Sequence, residues 1–200
     1  QLYERWELCI ADDGSTAPCV RTVLDEYAAR DQRIKVAHRE RTGNISAASN
    51  TALALAAGEY VALLDHDDEL AEQALLRAAQ AIAAGRGVDM LYTDEDKLDR
   101  AGRHVDPFFK PAWSPEYLLS CMYTCHLGVY RTALVRQLGG FRGECDGAQD
   151  YDLALRLSAR ARQVRHIPEV LYHWRLSPRS AASGHAAKPR AHAAAQRALT

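Results

Sequence analysis

Three short apolar runs in the first half of this chain each stop at a group of acids, and that repeat restricts the fold more than any other feature. Glu7–Ala11 (ELCIA) runs into Asp12-Asp13-Gly14-Ser15. Tyr60–Leu64 (YVALL) runs into Asp65-His66-Asp67-Asp68, and Val88–Tyr92 (VDMLY) into Thr93-Asp94-Glu95-Asp96. Short continuous apolar runs are what strands covered on both faces look like. Between them lie stretches with helical spacing. Val20, Val23, Leu24, Tyr27 and Ala28 follow Pro18; Ser46–Ala57 is closed by Gly58; Leu70–Ala84 carries Leu75, Leu76, Ala79 and Ile82 on one face. Ile34–Ala37 supplies one more strand. Alternating strands and helices predict an α/β fold, a Rossmann-like central sheet flanked by helices.

In such sheets ligands bind beyond the carboxyl ends of the strands. Acid groups converging on one sheet edge repel one another, and a divalent cation offsets that repulsion; Mg²⁺ or Mn²⁺ suits carboxylate and phosphate oxygens. Asp65, Asp67 and Asp68 are therefore the leading candidates for a metal site serving a phosphorylated ligand. Simpler readings stand beside this one. Asp67 or Asp68 can cap the helix expected from Leu70, and Asp12-Asp13-Gly14-Ser15 can be an Asx turn opening a helix. No GxGxxG follows the first strand and no GxxxxGK[ST] occurs, so neither of those phosphate loops is available.

The second half is less regular. Asp99–Pro115 carries Gly102, Pro107 and Pro111 among aromatics and reads as an ordered loop or hairpin. A short helix is expected over Pro115–Cys121, a strand over His126–Tyr130 and a helix over Thr132–Leu138, before the break at Gly139-Gly140. Ala148–Ala159 reads as a helix, and Val164–Ile167 and Val170–Trp174 as strands on either side of Pro168. An Ala-rich polar tail follows Ser177. Asp150 and Asp152 fall where acids favour a helix N-terminus, and a general base is the sharper reading. His173, beside Tyr172 and Trp174, is either packed or a metal ligand. Phe108, Phe109, Trp113, Tyr117 and Tyr123 can line a sugar cleft or build core.

Composition narrows the classes. The 200 residues, 48% hydrophobic and 26% charged, suit a single globular domain. Lys and Arg number 25 against 26 acids, which leaves no basic excess for nucleic acid. No apolar run approaches the ~18 residues of a membrane span. The five cysteines, odd in number and without CxxC spacing, read as ordinary thiols of a reducing compartment. The chain opens at Gln1 without a methionine or signal peptide and reads as a piece of a longer protein.

An ordered set of motifs resembles the family 2 glycosyltransferases. It comprises Trp6-Glu7-Leu8 before Asp12-Asp13-Gly14-Ser15, Gly43-Asn44 before Ala47–Asn50, Gly58-Glu59-Tyr60 leading into Leu64-Asp65-His66-Asp67-Asp68, Gly139-Gly140-Phe141, and Gln149-Asp150-Tyr151-Asp152-Leu153. Tyr92–Lys97, Phe109-Lys110-Pro111, Trp113-Ser114-Pro115 and Leu171–Arg175 narrow the likeness to a bacterial branch building O-antigen and related surface polysaccharides, rhamnosyltransferase-like members included.

The resemblance implies a GT-A fold, with a mixed central sheet lacking its first strand in this chain, since Gln1–Trp6 approaches the second. It implies one catalytic domain over 1–200: a nucleotide-binding half (1–98), an acceptor-side half with the catalytic helix (99–176), and a tail (177–200). The reaction would be inverting and metal-dependent, from a UDP- or dTDP-linked sugar to a hydroxyl of a glycan or lipid-linked glycan, with Mg²⁺ or Mn²⁺. By position, Asp150 matches the catalytic base, with Gln149 where many relatives carry Glu. Asp12, Asp13, Asn44, Asn50 and Asp65 match the nucleotide side, and Asp67 and His173 the metal. Asp94, Glu95, Tyr123 and Gln149 are candidates for donor-sugar or acceptor contacts. The expected location is cytoplasmic, at the inner face of the cell membrane if other segments anchor it; open strand edges would favour self-association. A sugar nucleotidyltransferase and a non-catalytic carbohydrate-binding or assembly module derived from a transferase are the alternatives.

Overall fold

The computed structural model describes residues 1–176 and 189–200. The chain begins with β1 (Leu8–Asp12), α1 (Pro18–Arg30) and β2 (Ile34–His38), and the two strands pair in parallel with Leu8 opposite Ile34. Helix α1 has proline in its first turn, where a missing N–H costs nothing. Helix α2 (Ile45–Leu55) is capped by Asn44, whose Oδ1 accepts from the Ala47 N–H at 2.8 Å. These four elements form a small layer with a two-stranded sheet of its own.

The main sheet has six strands. These are β3 (Tyr60–Ala62), β4 (Glu69–Leu70), β5 (Met90–Leu98), β6 (His104–Phe108), β7 (Gly128–Arg131) and β8 (Val164–Arg175), in the order β3-β7-β5-β8-β4. Strand β6 hairpins onto β5 beyond the stretch that β7 covers. Among the described residues of this sheet, β5 and β8 pair in parallel and the other ladders are antiparallel, so the sheet is mixed. Helices α3 (Ala74–Ala84), α4 (Pro115–Ser120), α5 (Thr132–Gln137), α6 (Gln149–Ser158) and α7 (Pro189–Ala198) complete the chain.

Strand β5 is the axis of the core. Met90, Leu91 and Tyr92 are all buried, and their side chains alternate between the faces of the sheet. Leu91 packs with Ala74 and Ala78 of α3 and with Leu127 and Leu171, while Met90 packs with Tyr130, Phe141, Leu153 and Leu157. Because β3 and β4 from the first half pair with β7 and β8 from the second, one sheet joins both halves. All five cysteines are free thiols. No helix among the described residues is long and apolar enough to cross a membrane.

Several expectations change. The run at Tyr60–Leu64 shortens to a three-residue strand, Tyr60–Ala62, that pairs antiparallel with β7. The helix expected from Leu70 starts at Ala74 with Gln73 at its cap, because Glu69 and Leu70 pair with His173 and Tyr172. Neither Asp67 nor Asp68 therefore caps it. Strand β5 does not stop at Tyr92 but runs through Asp94, Glu95 and Asp96, all of them buried. Pro168 does not divide β8; the ladder to β5 shifts register there, from Thr93 opposite Ile167 to Asp94 opposite Val170. The tail carries helix α7, while residues 177–188 of it lie outside the described residues.

A cleft of about 2000 Å³ separates the two sheets. It is lined by β1 at Leu8 and Cys9 and by β3 at Tyr60 and Val61. The ladder partner of β1 is β2 and that of β3 is β7, so each strand has one side turned away from its own sheet. The small layer is tied across by side chains. Asn50 clamps the Phe141 backbone, donating to its carbonyl at 2.8 Å and accepting from its N–H at 2.9 Å. Glu7 accepts from Gly58 N–H at 2.7 Å.

Candidate functional site

The loop Asp65–Asp68 follows β3 and lies against β8. Tyr172 places it: its hydroxyl donates to Asp68 Oδ2 at 2.5 Å and accepts from the Asp65 N–H at 3.2 Å. Arg175 adds its N–H to Asp68 Oδ1 at 2.8 Å and its Nε to the Asp67 carbonyl at 2.9 Å. The His126 ring stacks on Tyr172, with centroids 4.6 Å apart, and meets Trp174 edge-on at 5.7 Å. The His126 N–H is held at 2.9 Å by buried Glu95.

Asp65, Asp68 and His126 thus bring two carboxylates and an imidazole within 4.8 Å of one another. Burial raises the Asp68 carboxyl above its usual range, against the pull of Tyr172 and Arg175, and the charge of Asp65 adds to the rise. Cation binding relieves that cost, and an oxygen-rich donor set fits Mg²⁺ or Mn²⁺. The same cleft is lined by Gln149 and Asp150. Burial pushes Asp150 above the usual carboxylate range; the Tyr151 N–H at 2.8 Å and the His126 ring oppose that rise, and Asp65 reinforces it.

The remaining predicted residues are placed as follows. Asp67 is half-exposed and lies outside this group, with His66 Nδ1 3.8 Å away. His173 is not paired with Asp67: its Nδ1 lies 2.6 Å from Asp96 Oδ1, which turns the ring to the other face of the sheet. Asp12 is buried, accepting from the Ser15 N–H at 3.0 Å and facing His38 Nδ1 at 3.0 Å. These bonds, Ser15 first, hold its carboxyl down at about 2. Asp13 accepts from Gly43 N–H at 3.0 Å and pairs with Arg39 at 2.6 Å. Asn44 caps α2 and Asn50 clamps Phe141.

The candidates for sugar contacts lie deeper than expected. Asp94 accepts from the Lys110 N–H at 3.0 Å and faces His166 Nε2 at 2.8 Å. Glu95 pairs with Lys110 Nζ at 2.9 Å. Tyr123 is core, with its hydroxyl accepting from Ser114 N–H at 2.9 Å. Gln149 Oε1 accepts from Gly147 N–H at 2.9 Å at the start of α6. Phe109 and Tyr117 are exposed, at 70% and 43%. The residue that sequence reasoning missed is His126. A lone imidazole at the start of an apolar run gives no local sign that the fold will set it beside an acidic loop some 60 positions earlier.

The family model described as Glycosyl transferase family 2 matches residues 1–139. Over 100% of its length the chain is 50% identical to the uncharacterized protein y4gI of Sinorhizobium fredii, spanning 22% of that protein. It is 42% identical over 100% of its length to the O-antigen biosynthesis protein RfbC of Myxococcus xanthus, spanning 16% of it. It is also 32% identical, over 84% of its length, to the chondroitin synthase of Escherichia coli, spanning 24% of it. The S. aureus TarS structure in complex with UDP superimposes with TM-score 0.69 at 25% identity, covering 86% of this chain and 52% of that one. The mannosyltransferase PcManGT from Pyrobaculum calidifontis shares the fold, with TM-score 0.64 at 20% identity over 87% of this chain and 49% of its own. The fold is the Rossmann-like GT-A arrangement, a mixed sheet flanked by helices.

Proposed function

Because the chain belongs to glycosyl transferase family 2, we propose that it forms the donor-binding and catalytic region of an enzyme that moves a sugar from a nucleotide diphosphate onto a hydroxyl of a bacterial surface glycan. The observation that carries this reading is the meeting of Asp65, Asp68 and His126 at the wall of a cleft that Asp65, His126 and Asp150 line. The O-antigen relative supports a surface-glycan acceptor and the UDP-bound neighbour a UDP-linked donor, with a dTDP-linked donor the second choice.

In this reading Asp65, Asp68 and His126 would hold Mg²⁺ or Mn²⁺, with Asp67 as a further carboxylate of the same loop. When bound, the ion supplies positive charge toward the leaving diphosphate. Tyr172 and Arg175 hold the Asp68 carboxylate directly and the loop around it through the Asp65 N–H and the Asp67 carbonyl. Asp12 and Asp13 serve the nucleotide side. Asp150 takes the proton from the acceptor hydroxyl as that oxygen attacks the anomeric carbon, so one displacement inverts the centre. The raised affinity of Asp150 for a proton suits a base better than an ordinary surface carboxylate would.

The test is a release assay across UDP-, dTDP- and GDP-sugars on the full-length protein, with and without Mn²⁺, paired with NMR of the product anomer. Metal-dependent nucleotide release from a UDP- or dTDP-sugar with an inverted product is expected. Metal-independent release, or retention at the anomeric carbon, would overturn the assignment.

A further inference from the structure

A second group of metal-competent side chains shares no residue with the acidic loop. Asp96 on β5 stands opposite His173 on β8 in the parallel register, and the β5–β6 hairpin folds His104 back over both. His173 Nδ1 lies 2.6 Å from Asp96 Oδ1 and His104 Nδ1 lies 2.9 Å from Asp96 Oδ2. The two rings meet edge-on with centroids 4.4 Å apart. One ligand atom from each residue falls within a 4.8 Å span.

Strand alternation sets this group on its own face. Tyr172 and Trp174 pack on His126, so His173 between them points the other way; Glu95 holds the His126 N–H, so Asp96 next to it does the same. Asp96 is only 7% exposed at the floor, while the His104 side chain is 56% exposed above it. The group is closed below and open to water above.

The donor chemistry differs from that of the acidic loop. Two imidazoles and one carboxylate are borderline-soft donors that suit Zn²⁺, whereas Mg²⁺ and Mn²⁺ prefer oxygen. With both histidines neutral the group carries one negative charge. Tetrahedral zinc with bonds near 2.0–2.2 Å sets its ligand atoms about 3.3 Å apart, so the two histidine–carboxylate spacings need to open by less than about 1 Å. A fourth position would face solvent beside His104.

We propose that Asp96, His104 and His173 form a zinc site that clips the β5–β6 hairpin to β8, independently of the donor site. A bare hydrogen-bonded clasp, with one carboxylate holding two rings, is the competing account, and metal uptake separates the two.

The experiment is calorimetric titration of the folded protein with Zn²⁺ in excess Mg²⁺, repeated with Co²⁺ while recording visible absorption. It is run on the native protein, on Asp68→Asn and on His104→Ala. The native protein and Asp68→Asn should each take up zinc saturably at this site and give the intense absorption of four-coordinate Co²⁺. His104→Ala, an exposed change that leaves the core intact, should weaken that uptake by more than the roughly 10–100-fold cost of losing an outer-shell partner. His173→Gln should behave the same way. Equal zinc affinity in native and His104→Ala protein, or loss of uptake in Asp68→Asn alone, would overturn the proposal. So would the absence of saturable binding in the native protein.

Discussion

Asp150 stands in the first turn of α6 with its carboxyl lifted by burial, and its chemistry is open to two measurements. Asp150→Asn removes the proton acceptor and leaves the donor contacts in place. It should lower kcat by about 10²–10⁴-fold while UDP affinity, read by calorimetry, stays close to native. The native carboxylate must be ionised to act, and its folded pKa lies above the ordinary value. The acid limb of kcat/KM should therefore fall at a higher pH than for an unperturbed aspartate.

Asp12 has the opposite sign. Its folded pKa of about 2 lies below the ordinary 3.8, so its contribution to stability is full above 3.8 and is lost as pH falls from there to about 2. His38, raised by Asp12 and Asp25, contributes fully below 6.5 and loses that share as pH rises through its folded pKa. Asp12→Asn should flatten both limbs of the stability–pH curve measured by urea unfolding. Asp65 and Asp150 were singled out in the sequence because strand ends and helix starts announce themselves locally. Asp68, a metal candidate, kept helix capping as its alternative because Tyr172, which positions its carboxylate, lies 104 residues away.

At the scale of elements, β5 departs most from its sequence pattern. Acids after an apolar run read as a strand end, because three carboxylates inside a sheet are costly unless each finds a partner. Here each does: Asp94 with the Lys110 N–H and His166, Glu95 with the Lys110 ammonium and the His126 N–H, Asp96 with two histidines. Those partners come from β6, β8 and the loops after β6 and α4, none of which the local sequence reveals. Lys110 has a fully buried side chain and also reaches the Thr124 carbonyl at 2.8 Å. Lys110→Met should cost about 3–5 kcal/mol, since it strands a buried Glu95 charge. Adding Glu95→Gln should recover part of that loss, and a double-mutant cycle by denaturant titration reads both.

For the whole molecule, the alternation of strands and helices gave the layer architecture, and the motif order gave its family. The pairing pattern was not legible, because an apolar pentapeptide such as Tyr60–Leu64 fits a parallel or an antiparallel ladder equally well. The small layer rests on the large one largely through side-chain clamps, of which Asn50 is the most direct. Asn50→Ala leaves the Phe141 N–H and carbonyl without their partner, at about 1–3 kcal/mol for each group left unsatisfied. Urea unfolding should shift to lower midpoint, and the fluorescence of Trp6 should change ahead of the far-UV signal from the main sheet.

The cleft between β1 and β3 also sets a clock for isotope exchange. On each of these strands, alternate amides point away from the one ladder it makes among the described residues, into a channel wide enough for water. Those amides should take up deuterium within the earliest time points, while their sequence neighbours facing β2 and β7 lag behind. The buried amides of β5, paired on both edges, should label last. A map of exchange along the chain would then show a fast and slow alternation at Leu8–Asp12 and Tyr60–Ala62, and none over Met90–Tyr92.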